Sequence, residues 1–195
     1  MDGKEFFQKS AGKWKSQRTT HHLPFRRAES GDSNILVESL GPEDERIIAI
    51  CKEQNIDPNL AVGGAYVTWA GSMAWDKEDE NHEGSTVFAL IPDQDNPQKG
   101  KLIRERGYAE IVPVVGEYEV DQEDALLLIT EYETMSIIER FWFPNPNIRV
   151  RTSTVKRFGG FNTATFCVET RIEESNYSLR EKSDQTITSI SVSGW

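Results

Sequence analysis

The 195-residue sequence predicts an all-β fold, a closed barrel or a sandwich, on three observations. From Ala65 onward short strand-like runs follow one another, with turn signals at close intervals. The runs alternate with period two: Arg149, Arg151, Ser153 and Arg157 fall on one side of their strand, and Ile148, Val150 and Thr152 on the other. Helical spacing is confined to two short segments near the N-terminus.

Residues 2–10 predict a short helix, because Asp2 and Glu5 have capping-box spacing and Phe6 and Phe7 supply an apolar side. Gly12 ends it, and Lys13–His22 forms the first strand. Phe25–Leu40 reads as a second strand region, interrupted by a turn at Ser30-Gly31-Asp32. Pro42–Gln54 predicts one further helix. Its proline suits a first turn, Glu43, Asp44 and Glu45 complement the dipole, and Ile47, Ile48, Ile50 and Cys51 form the apolar face. After a connection over Asn55–Gly64, strands are expected over Ala65–Asp76, Ser85–Pro92, Lys101–Glu110, Gly116–Val120, Ala125–Glu133, Ser136–Phe143, Asn147–Arg157 and Thr163–Glu173, with a loop over Asp93–Gly100. The sequence contains no internal repeat. Its Ser/Thr-rich end is weakly patterned, which predicts one barrel domain over residues 1–175 and a partly disordered extension over 176–195.

Composition narrows the functional classes. Acidic residues outnumber basic ones by 32 to 22, a formal charge of -10, which argues against nucleic acid as a partner. No apolar run is long enough for a membrane span, and the N-terminal segment lacks the apolar centre of a secretory signal, so an intracellular, cytoplasmic protein is expected. Cys51 and Cys167, the only cysteines, give neither a metal spacing nor a disulfide framework. The common nucleophile, metalloprotease and phosphate-loop motifs are absent.

Four constellations carry chemical potential. Gly12-Lys13-Trp14 opens the first strand after a helix, where a tryptophan can plug one end of a barrel, and Arg157, on a late strand, is expected to lie over its indole; the pair resembles the lipocalin pattern of a Gly-x-Trp on the first strand and a basic residue on a late one. Trp69, Gly71, Met73 and Trp75 share one face of a strand, which suits either a flat conjugated ligand or an ordinary barrel core. His21 and His22 point to opposite faces of a strand and so do not chelate together, and no metal site is expected. Arg149, Arg151 and Ser153 form an anion-binding stripe if they face inward, and an ordinary solvated face if they do not. Residues two apart on a strand are separated by about 6.5–7 Å, so the two arginines can grip separate carboxylates of one ligand. Glu139 and Glu169 are candidate acids; if they point inward, burial is expected to raise their pKa and let them hold or deliver a proton. With the stripe inward, Ile148 and Val150 are expected to leave an apolar strip on the outside where a partner docks.

Taken together, the segments EFFQKSAGKWKSQRTTHH, FRRAESGDSNILVE, VGGAYVTWAGSMAWD, HEGSTVFALIPD, GYAEIVPVVGEYEVD, TEYETMSIIERFWFPNPNIRVRTSTVKRFGGF and FCVETR resemble the S-type phycobiliprotein lyases, the CpcS/CpeS family of bilin chromophore lyases. They span nearly all of residues 5–171. The resemblance implies a ten-stranded antiparallel barrel of lipocalin-like, fatty-acid-binding-protein-like form. It implies binding of a linear tetrapyrrole such as phycocyanobilin and its thioether attachment to a cysteine of a phycobiliprotein subunit. No cofactor other than that bilin substrate is implied. Members act alone or as hetero-oligomers, so a homodimer or a paired lyase subunit is among the assemblies implied, in cyanobacterial cytoplasm or plastid stroma. The site residues it carries over are Arg18, Trp69, Trp75, Arg149, Arg151 and Ser153 for binding and Glu139 and Glu169 for catalysis. The same pocket also suits the alternative reading, a non-catalytic carrier of a bilin or another amphipathic anion.

Overall fold

The computed structural model describes residues 1–73, 82–105, 114–158 and 160–173 and decides between sandwich and barrel in favour of the barrel. Its strands are β1 (Gly12–His22), β2 (Arg27–Leu40), β3 (Gly63–Met73), β4 (His82–Asp93), β5 (Asn96–Arg104), β6 (Val114–Val120), β7 (Leu126–Glu131), β8 (Met135–Asn145), β9 (Ile148–Arg157) and β10 (Gly160–Arg171). Each pairs antiparallel with its neighbours in sequence, and β1 closes the ring against β10. Closure leaves no sheet edge exposed.

Helix α1 (Gly3–Ser10) closes one end. Its capping box is formed as the sequence predicts: the Glu5 amide donates to the Asp2 carboxylate at 2.8 Å, and the Asp2 amide donates to Glu5 at 2.9 Å. Phe6 and Phe7 are thereby aimed into the barrel, where they pack with Trp14, Leu90, Leu102 and Tyr118 as an apolar floor. Each such side chain contributes roughly 1.5–3 kcal/mol by leaving water. The Trp14 indole N–H donates to the Ser10 carbonyl at 2.8 Å, so this fully buried ring leaves no orphan donor.

The guanidinium over Trp14 is not that of Arg157. Arg171 covers the ring at 4.2 Å from its centroid, with Arg149 also against it at 4.9 Å. Register explains this, because Trp14 stands opposite Arg171, whereas Arg157 lies at the far end of β9, where its Nε meets Met135 Sδ at 3.4 Å. Gly12, at φ +125°, makes room: a Cβ there would sit 2.8 Å from the Arg171 guanidinium.

The second helix, α2 (Glu45–Glu53), lies outside the barrel. Ile47, Ile50 and Cys51 cover the outward face of Val87, Ala89, Ile91 and Ile103, which removes Cys51 from any site chemistry. The helix starts at Glu45 rather than at Pro42, because the Asp44 side chain accepts the Arg46 amide and sets the cap. Two turn expectations also give way to pairing. Strand β2 runs unbroken through Ser30-Gly31-Asp32, where Gly31 is paired with Arg18 on one side and Met73 on the other. The loop expected over Asp93–Gly100 shrinks to a tight turn, with Asn96–Gly100 already in β5. The strand expected over Ala65–Asp76 is described only to Met73, that over Lys101–Glu110 only to 105, and the 176–195 extension lies outside the described residues.

Candidate functional site

Above the apolar floor the barrel is hollow, with a cavity of about 520 Å³. On the strand walls, inward positions change from apolar to charged. Four arginines (Arg18, Arg104, Arg149, Arg151) and four carboxylates (Asp32, Glu83, Glu139, Glu169) line the cavity, alongside Phe88, Phe141 and Trp69.

Five of these charges form one alternating row. Arg104 Nη2 donates to Glu139 Oε2 at 2.9 Å, and Arg151 Nη1 donates to Glu139 Oε1 at 3.3 Å. Arg151 Nε lies 3.7 Å from Glu169 Oε1, and Arg149 Nε donates to Glu169 Oε2 at 2.5 Å. The row follows from strand register. Arg149 stands directly opposite Glu169, while Phe141, Arg151 and Cys167 share one rung. Arg151 therefore sits diagonal to both carboxylates, within reach of long side chains. Glu169 (1 % exposed) and Glu139 (3 %) are buried, as are Arg149 and Arg104. Aromatic faces brace the guanidinium groups: Arg104 lies over Phe88 at 4.8 Å, and Arg151 and Arg149 over Phe141 at 5.6 and 5.8 Å.

The electrostatics overturn one expectation. Burial alone would push the Glu139 carboxyl up, but Arg104 and Arg151 outweigh it and hold the group below its ordinary value of 4.5. Glu139 is thus a charged carboxylate at neutral pH, an acceptor and counter-ion rather than a stored proton. Because its folded-state pKa is depressed, its stabilising contribution is present above about pH 4.5 and is lost as pH falls through the lower folded-state value. A Glu139→Gln variant should therefore show a shallower loss of stability on the acid side of pH 4.5 than the native protein, measured by urea unfolding at a series of pH values. Burial lowers the Arg149 pKa, against the opposing pull of Glu169. The Cys167 thiol is pushed up by burial and accepts from Arg151 Nη2 at 3.4 Å, a poor setting for a nucleophile.

Arg18 enters the cavity from β1 and Trp69 from β3. Trp69 pairs with Gly84, and a Cβ at Gly84 would stand 2.3 Å from the indole, so the ring lies flat against the β4 backbone only because residue 84 is glycine. Ser153 is buried on the inner face of β9, on one rung with Glu139 and Thr165. Trp75 lies outside the described residues. His21 is exposed and His22 faces Glu29 at 3.4 Å. Among the described residues no group of three or more His, Cys, Asp or Glu is placed to hold a metal, and no helix is long and apolar enough to cross a membrane. The expected outer apolar strip is also corrected: Val150 is buried between Trp142 and Val168 on the neighbouring strands, and Ile148 is half-buried. Sequence reasoning missed Arg104 and Phe88. The signal for Arg104 was its parity with Leu102 on β5, which places both on the inner face. Thr86, also inward, keeps a buried hydroxyl that makes no hydrogen bond to the described residues.

Comparison with known proteins gives a consistent answer. Residues 2–172 match the family model described as CpeS-like protein. The phycocyanobilin lyase subunit CpcS of Picosynechococcus sp. is 67% identical over 194 residues, which cover 100% of this chain and 98% of that protein. Chromophore lyase CpcS/CpeS 2 of Synechocystis sp. is 67% identical over 176 residues, 90% of this chain and 92% of the relative. The solved structure of the S-type phycobiliprotein lyase CPES from Guillardia theta superposes with a TM-score of 0.77 at 33% identity, covering 89% of this chain and 94% of that one. A barrel plugged by its N-terminal helix, a charged cavity and a family match over almost all described residues lead to one conclusion: the chain belongs to the CpeS-like family, that of the S-type CpcS/CpeS chromophore lyases.

Proposed function

We propose that the protein is a bilin lyase: it holds a linear tetrapyrrole of the phycocyanobilin type in the barrel cavity and attaches it through a thioether to a cysteine of a phycobiliprotein subunit. The observation that carries this reading is the alternating row of buried arginines and carboxylates in a cavity with aromatic walls. A bilin matches that row chemically, having two propionates, basic pyrrole nitrogens and a flat conjugated body. The cavity volume lies within the roughly 300–1,000 Å³ range of single-ligand sites. The names of the relatives, phycocyanobilin lyase and chromophore lyase, support the same substrate and reaction.

In this scheme Arg149 and Arg151, with Arg18 at the β1 side, take the propionates through charge-assisted hydrogen bonds. Trp69, with Trp75, lines the tetrapyrrole body, and Ser153 adds a hydroxyl to the anion site. Glu139 and Glu169 face the pyrrole nitrogens and, as carboxylates, stabilise the protonated ring system, which makes the ethylidene carbon electrophilic. The acceptor thiolate forms the S–C bond at that carbon. The electron pair of the exocyclic C=C moves into the conjugated system, and the thiol proton ends on the bilin. The lyase fixes conformation and orientation and suppresses addition elsewhere. Activity then belongs where phycobiliproteins are assembled, in cyanobacterial cytoplasm or plastid stroma, with or without a second lyase subunit.

The test is a phycocyanobilin titration followed by addition of an apo-phycobiliprotein subunit. A denaturation-resistant coloured band on the subunit, formed faster than without the protein, is the expected result. Spectral binding with no gain in attachment rate would instead identify a carrier. The scheme needs no thiol of the lyase, so a Cys51→Ser/Cys167→Ser variant should keep both binding and transfer. Transfer abolished in that variant while binding survives would sink it.

A further inference from the structure

Side chains at the end of the barrel opposite α1 form a second surface, distinct from the cavity wall. Strands β1 and β9 run from the floor residues Trp14 and Arg149 to the rim residues His22 and Arg157. At that rim a short 3₁₀ turn (Leu23–Phe25) packs on β10, next to the β9–β10 connection. Four of the ten exposed large hydrophobic side chains among the described residues lie at that end, Leu23, Phe25 (75 % exposed), Phe158 (85 %) and Phe161, with a fifth, Phe166, further along β10. Phe166 is on the outward face of β10, in register with Thr19 and Thr152 on either side.

The same patch carries positive charge. Arg26, Arg27, Lys156 and Arg157 are all exposed, and the Lys156 ammonium lies 4.9 Å above the Phe161 ring. In a chain of formal charge -10 this is a local concentration of positive charge. Exposed aromatic rings interleaved with cations have the composition of a protein-docking surface rather than of solvated strands.

We infer that this aromatic and basic surface, the Leu23–Phe25 turn with Arg26, Lys156, Phe158 and Phe161, is where an acidic protein partner, the acceptor subunit, docks at the end of the barrel opposite α1. The inference rests on the lyase reading, because attachment requires a protein thiol to reach a ligand held inside the barrel, and the α1 end is filled by Phe6, Phe7 and Trp14. Charge complementarity selects an acidic surface, and the rings supply the desolvated anchors. A second copy of this chain seated on the rim would crowd the opening through which the thiol must enter.

Two variants test it, Phe158→Ala/Phe161→Ala and Lys156→Glu/Arg157→Glu, with phycocyanobilin titration as the check on fold and cavity. The aromatic pair should weaken binding of an apo-phycobiliprotein subunit by roughly tenfold or more. The charge-reversal pair should slow association and remove its salt dependence. Phycocyanobilin binding should be unchanged in both. Unaltered subunit affinity in both variants would overturn the inference. So would subunit affinity that survives while the variants dissociate a native homodimer in sedimentation, or lose binding to phosphatidylglycerol vesicles. A native protein that binds the subunit but not phycocyanobilin would overturn the cavity reading alone.

Discussion

Arg149→Ala should lower folding stability by about 3–5 kcal/mol, read as a fall in the urea midpoint. The cost arises on its partner. Glu169 is 1 % exposed and would lose the guanidinium that bonds it most closely, leaving Arg151 at 3.7 Å as its remaining cation in the row. A buried carboxylate stripped of its partner keeps its desolvation penalty without the compensating attraction. The Trp14 ring would also lose one of its two guanidinium neighbours. An Arg149→Met/Glu169→Gln double variant, which removes both charges, should recover most of the loss, and with the Arg149→Met and Glu169→Gln single variants it closes a cycle that measures the coupling. A cost below about 1 kcal/mol for the single variant would show that the pair is solvated rather than buried.

Arg151→Ala should weaken phycocyanobilin binding about tenfold to a hundredfold, the loss of one charge-assisted hydrogen bond at about 1.5–3 kcal/mol. Its effect on folding should be smaller than that of Arg149, because its side chain is partly exposed and Glu139 keeps Arg104. Arg151→Lys separates charge from geometry: an ammonium keeps the charge but loses the planar fork, so partial recovery identifies bidentate recognition. Spectroscopic titration reads both variants, and unchanged affinity in Arg151→Ala would remove the propionate assignment.

The β9 alternation was legible because a strand has period two, and the same arithmetic places Arg149, Arg151 and Ser153 together. The arithmetic is blind to sign, however. It cannot say which face looks inward, and here the polar face does, because the ring closes around it. What sequence could not supply was pairing across strands. Arg171 rather than Arg157 covers Trp14 because of the β1–β10 register, and Gly31 sits within a strand because Arg18 and Met73 pair with it from both sides. The charge state of Glu139 was misjudged for the same reason. Its burial was foreseeable, but Arg104 arrives from β5, 35 residues away in sequence, and only the folded ring brings the two within 2.9 Å.

The stoppered floor has a kinetic consequence. With Phe6, Phe7 and Trp14 filling one end of the barrel, a bilin and an acceptor subunit would, on the proposed reading, both approach from the opposite end. Loading would then precede docking, and a subunit that arrived early would lock the tetrapyrrole out. Turnover would follow a compulsory order, and excess apo-subunit would act as an inhibitor competitive with the bilin.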